Sequence, residues 1–209
     1  MSVTAQVVFD RARSLLNDEV GNLWTNDVLL TKLQIAHAEL QIKLRRAGAD
    51  VMLGQYTESV AANATTFSSQ PADLVMPIQL WEKVHSSAIT TYALMTEVNP
   101  LPNNLLKGTA LQRWTWYQEA VTFIGATAIV DVFMTYQREI ATITSGSDPI
   151  GFIDGELYLA PRLAALAYAT TASSDIAAQC DALAQNSLAE VLYANRGRAP
   201  GIEGTTERP

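Results

Sequence analysis

The sequence predicts an α+β protein with helices towards both ends and short β-strands between them. Apolar residues recur at three- and four-residue steps over the first fifty positions and again after about residue 147. Between these runs, β-branched and aromatic residues are cut into short pieces by turn formers. Residues 195–209 are rich in Gly and Pro and carry no periodicity, which predicts an extended tail.

Taken in order, Val3, Val7, Val8, Leu15 and Leu16 fall on one side of a first helix, which Asn17, Asp18 and Gly21 end. Thr25 offers an N-cap, and Asn26 and Asp27 follow it in the first turn, where the helix dipole favours acidity. Leu29, Leu30, Leu33, His37, Leu40 and Leu44 then line a second helix, closed by Arg45, Arg46 and Gly48. In the middle, Val121 and Phe123 alternate with Thr122 and Ile124. Gly125, Ala126 and Thr127 form a turn, and Val130, Val132, Met134 and Tyr136 make the return strand of a hairpin. Trp114 and Trp116 are two apart and share a strand face. Pro161 requires the third helix to start only about a turn before it. A fourth helix starts at Ser173 or Ser174, with Ile176, Cys180, Leu183, Ser187 and Val191 on one face. The predicted division is therefore helical segments 1–49 and 147–194, an antiparallel β lobe of four to six strands over 50–146, and a tail over 195–209.

Composition narrows the function classes. Apolar residues make up 48% of the 209 positions and charged residues only 17%, against about 25% charged in ordinary domains. Such a surface suits a chain that covers part of itself against copies or partners. A net charge of −7 argues against a groove that grips nucleic acid. The start of the chain shows no signal peptide, and no apolar run reaches membrane-spanning length. One cysteine excludes an internal disulfide framework. A soluble chain made in a reducing cytoplasm, with no membrane, is the expectation.

Motifs for chemistry are sparse. His37 and His85 have no ligand partner one helical turn away, and Cys180 sits on an apolar helix face. No glycine-rich loop opens a helix with a phosphate-binding lysine. Glu97, Glu119 and Asp131 are acids on strands without a supporting motif. The expectation is no catalytic centre, no metal and no cofactor. Trp81, Trp114 and Trp116 are candidate interface aromatics, and Trp114 with Trp116 is also a candidate ligand platform. In the tail, Arg196, Arg198, Pro200, Ile202 and Arg208 are candidate partner-binding residues. Glu203 and Glu207 dilute any phosphate contact, so docking into a protein groove is favoured.

Several segments resemble the head-to-tail adaptor (connector) proteins of tailed bacteriophages. They are Arg11–Asp18 with Trp24–Leu30, Gln70–Ile78 with Leu80, Trp81 and Glu82, Met95–Val98 with Pro100 to Pro102, and the helix pair from Tyr158 to about Tyr193. They follow the family's order over most of the chain. The resemblance implies a four-helix bundle formed by the N- and C-terminal helix pairs, with the β lobe inserted. It also implies a virion neck protein that forms a homo-oligomeric ring of about twelve copies beneath the portal protein. Such a ring extends the DNA channel and presents a platform to the next tail or nozzle component, while DNA passes without sequence-specific contact. Acids facing the lumen would keep DNA mobile, within a screening length of about 8 Å. Another neck or tail-completion ring, a carbohydrate-binding or hydrolytic module, and a virion DNA-binding protein are the rival readings.

Overall fold

A computed structural model describes residues 3–85, 91–101, 106–171 and 173–196. The protein is α+β. Its described residues divide into two compact units, one drawn from 1–51 and 141–209, the other from 52–140.

The first unit holds four helices among the described residues: α1 (Ala5–Leu16), α2 (Asn26–Arg46), α3 (Glu156–Tyr168) and α4 (Ser174–Ala194). Helix α3 packs against the other three. It is apolar nearly all round, with Tyr158, Leu159, Leu163, Ala164 and Ala167 all buried, as a central helix requires. Arg162 fastens its neighbours. Its guanidinium donates twice to Glu39 on α2, at 2.7 and 2.8 Å, and once to Asp181 on α4 at 2.8 Å.

The inward faces differ from the sequence expectation. On α1 the buried residues are Ala5, Val8, Phe9, Ala12 and Leu16, while Val7 and Leu15 are exposed. Helix α1 has apolar residues on two sides, and only the side facing α3 is covered. On α4, Cys180, Ala184 and Val191 are buried, and Ile176 and Leu183 face outwards.

Helix ends are closed mostly by backbone. Asn17 is left-handed (φ 53°), and the N–H groups of Asn17 and Asp18 return to the Ser14 and Arg13 carbonyls. The Asp18 carboxylate then accepts the N–H groups of Asn22, Leu23 and Trp24, which turns the chain into α2. At the start of α1, Ala5 and Gln6 donate to the Asp148 and Gly146 carbonyls. Helix α3 begins at Glu156, further ahead of Pro161 than expected. The proline deprives the Leu157 carbonyl of its helical donor, and the Ser187 hydroxyl of α4 reaches that carbonyl at 2.8 Å. This replacement lets the helix run through the proline.

The second unit contains two sheets. In the first, β1 (Leu53–Val60), β7 (Val130–Arg138), β2 (Leu74–Val84) and β3 (Ala93–Leu94) pair antiparallel in the order β1-β7-β2-β3. Pro77 sits in β2 between two register shifts of its ladder with β7, at Leu74/Met76 and Pro77/Gln79, the irregular kind of place where a strand tolerates proline. Gly54 faces Tyr136 across the β1–β7 ladder, and the ring fills the space a side chain would need.

The second sheet joins β4 (Thr96–Glu97), β5 (Arg113–Tyr117) and β6 (Ala120–Phe123), and its β4–β5 pair is parallel rather than antiparallel. The expected Val121–Tyr136 hairpin is not formed. Strand β6 pairs with β5 through a two-residue turn at Gln118 and Glu119, both at positive φ, as tight hairpins demand. Gly125 to Thr127 instead carries the chain from one sheet to the other. There Ala126 accepts the Asn63 N–H, and the Gly125 backbone (φ 87°) passes the Asn63 and Ala64 carbonyls too closely for a side chain. The alternation in β7 is as read: Val130, Val132, Met134 and Tyr136 all face the core, with Leu80, Trp114, Val121 and Phe123.

Candidate functional site

On the β1–β7–β2 sheet, Ser59, His85 and Asp131 have the composition of a hydrolytic triad. Asp131 lies in the middle, however, accepting from Ser59 at 2.6 Å and pairing with His85 Nδ1 at 2.8 Å through the same oxygen. A nucleophilic serine needs the imidazole between it and the acid. With Lys83 3.7 Å away, these donors outweigh burial and hold the Asp131 carboxyl below its ordinary range, which stabilises its charge. The arrangement is a cross-strand ion cluster.

Glu97 on β4 and Glu119 in the β5–β6 turn belong to the other sheet and lie at opposite ends of β5. Glu82 is buried, and its two oxygens accept the Leu111 and Gln112 N–H groups. His37 is also buried. Gln41 donates to its Nδ1, so its Nε2 carries the proton given to the Ile150 carbonyl. Burial pushes its pKa below the ordinary value. Burial raises that of the Cys180 thiol. Among the described residues no group of three or more His, Cys, Asp or Glu is placed to hold a metal, and no helix is long and apolar enough to cross a membrane.

The candidate interface aromatics separate. Trp114 is only 2% exposed and forms part of the core, which leaves it no surface to offer. Trp81 is half-buried, with its ring 5.3 Å from that of Phe133. Trp116 is half-buried as well. It lines a groove of about 370 Å³ with Gln70, Pro71, Leu74, Glu119 and Glu139.

Arg198, Pro200, Ile202 and Arg208 lie outside the described residues. Arg196 is exposed at the end of α4 and lines a concavity of about 400 Å³ with Ala47, Ala49, Ala189, Leu192 and Tyr193. Asn195, expected at the start of the extended tail, is instead 4% exposed. Its side chain accepts the Ile153 N–H at 3.0 Å and donates to the Ile153 and Val191 carbonyls, both at 2.8 Å. Asn195 therefore belongs to the helical unit and not to the expected tail.

The feature missed in the sequence is the outer face of α2. Val28, Thr31, Ile35, Ala38 and Ile42 follow one another at three- and four-residue steps on the side opposite Leu29, Leu33, Leu40 and Leu44. Val28, Ile35 and Ile42 are 43, 49 and 45% exposed. This is the spacing of a helix-pairing seam, with β-branched residues every seventh position. Helix α2 is thus apolar on two faces, and only one is covered among the described residues. The fold is α+β, and the uncovered α2 face is its most regular apolar surface among the described residues. No protein-family model matches the chain, and no curated protein does.

Proposed function

We propose that this chain is a structural virion protein: a head-to-tail adaptor that forms a ring beneath the portal, continues the DNA channel and carries the next tail component. In this reading the helical unit is a four-helix bundle built from the two terminal helix pairs, and the β unit is its insert. The observation that carries the proposal is the uncovered seam on α2. Exposed apolar side chains at regular helical spacing are out of place on a permanent monomer, and a ring covers them in every subunit. The segment resemblance supplies the kind of ring. The acidic balance, −7 per chain, suits a lumen that DNA slides through.

The test is electron microscopy of the protein mixed with candidate portal rings. Added density of the portal's rotational order on its tail-facing end is the expected result. Portals that stay bare at concentrations far above the adaptor's level in the cell would overturn the reading.

A carbohydrate-binding module is the second reading, favoured by the Trp116 groove with its two carboxylates. Glycan binding by the isolated protein, lost in Trp116→Ala with the fold intact, would replace the first reading with this one.

A further inference from the structure

We infer that the seam on α2 is covered by the outer face of α4 of a second copy, with the two helices antiparallel. The inference deepens the ring reading by naming the two faces that meet. Closing a ring requires two different, complementary surfaces on each subunit. The outer face of α4 has matching periodicity: Gln179, Ala182, Asn186, Ala189 and Tyr193 follow at three- and four-residue steps, all exposed. Ala182 and Ala189 leave holes one heptad apart, the spacing of Ile35 and Ile42, and small residues opposite β-branched ones let helices approach closely. Ile176 and Leu183, both exposed, add apolar surface on one flank.

Charge selects the partner and the direction. Helix α4 contains Asp175, Asp181 and Glu190 and no Lys or Arg, whereas α2 contains Lys32, Lys43, Arg45 and Arg46 against Asp27 and Glu39. One antiparallel register brings Lys32 beside Glu190 on corresponding flanks of the two seams, sets Arg46 near Asp175 at one end, and puts Asp27 level with Arg196 just past the end of α4 at the other. In that register Ile35 faces Asn186 between the two alanine holes, and Val28 meets Tyr193. A parallel alignment with the helix starts level would set Asp27 against Asp175. Glu39 and Asp181 are already held inside the subunit by Arg162, and Lys43 by Gln185. Lys32 rests 3.4 Å from the Leu166 carbonyl, a long contact that it exchanges for the Glu190 carboxylate on pairing.

Magnitude fixes the conditions. A helix of 21 residues is about 31 Å long. A strip about 10 Å wide then covers on the order of 300–500 Å² per partner, below the roughly 800 Å² of a standard stable interface. The contact holds when repeated around a closed ring, so single pairs are sought by trapping at high concentration.

The experiment uses two full-length single variants, Ile35→Cys and Asn186→Cys, both at exposed positions, mixed under mild oxidation. The expected product is a covalent dimer in the mixture that neither variant gives alone. A Lys32→Glu change in the Ile35→Cys chain should reduce it, and Glu190→Lys in the Asn186→Cys chain should restore it. Dimer from Ile35→Cys alone, equal to the mixture, means that α2 pairs with α2 and overturns the inference. Rings on portals with no mixed cross-link overturn it too, and leave the ring reading standing. A mixed cross-link with bare portals keeps this contact and removes the adaptor reading.

Discussion

The Ser187 hydroxyl on α4 lies 2.8 Å from the Leu157 carbonyl on α3, the acceptor that Pro161 deprives of its helical N–H. One side chain on a neighbouring helix thereby makes good a defect in the central one. Replacing Ser187 with Ala should destabilise the protein by about 1–2 kcal/mol in urea unfolding, the cost of leaving a packed carbonyl without a donor. In a Pro161→Ala background, which restores the backbone N–H, the same change should cost clearly less. Equal losses in both backgrounds would show that the hydroxyl serves some other contact.

Gly54 is expected to tolerate no side chain. A methyl there would sit 2.3 Å from the Tyr136 ring. The tyrosine is also held by its hydroxyl, which donates to Asp73 at 2.9 Å. Gly54→Ala should lower stability by about 1–3 kcal/mol through overpacking. Tyr136→Ala in the same chain should relieve the clash, so that Gly54→Ala costs far less there than in the parent.

Tryptophan substitutions should rank by burial. Trp114→Ala empties core volume and should cost about 3–5 kcal/mol. Trp116→Ala, at a groove wall, should cost much less. Thermal unfolding of the two variants beside the parent decides the order.

Acid sensitivity should have two stages. Burial depresses the His37 pKa below 6.5, so the unfolded chain takes up that proton more readily than the folded one. The stabilisation is complete above about pH 6.5 and declines as pH falls towards the folded value. His37→Gln should flatten that first decline in pH-dependent denaturation midpoints. The second stage belongs to Asp148. Donors from Thr144 and Ser145 hold its pKa at about 2, against 3.8. Its contribution is present above about pH 3.8 and is lost on approach to pH 2. Asp148→Asn should reduce the dependence only in that lower range.

Under the adaptor reading, deleting residues 196–209 should leave a folded monomer that no longer adds to portal-containing heads. Asn195 is retained in this truncation, so its hydrogen bonds to Ile153 still close α4. Circular dichroism and a head-binding assay on the same preparation separate folding from docking, and normal docking would remove the terminal segment from the mechanism.

Much of the helical part was legible in the residues themselves. Leu29, Leu33, Leu40 and Leu44 repeat on one side of α2, and that side is buried. Where two faces of a helix are apolar, periodicity gives no choice between them. That is why Val7 and Leu15 on α1, and Ile176 and Leu183 on α4, were placed inside and are found outside. The β6–β7 hairpin failed for a related reason. Gly125 marks a turn equally well as a close backbone crossing, whereas Gln118 and Glu119 carry no turn signature although they make the tight hairpin. Asn195 was read with the Gly- and Pro-rich residues after it, because its partner Ile153 is distant in sequence. Of the candidate surfaces, the aromatics were visible as residue types but not by depth. The α2 seam was in plain sight as a spacing, yet its exposure depends on where α3 lies.

The fastening of Asn195 to Ile153 has a mechanical consequence. The loop after Ile153's neighbour Ile150 is itself pinned, with the Ile150 N–H donating to the Val3 carbonyl and its carbonyl accepting from His37. Tension applied at Arg196 therefore reaches first a knot of polar bonds, which pass the load to α2 and to the segment leading into α1. A pull on that end of α4 would tug on the whole helical unit at once, instead of peeling the helix away turn by turn.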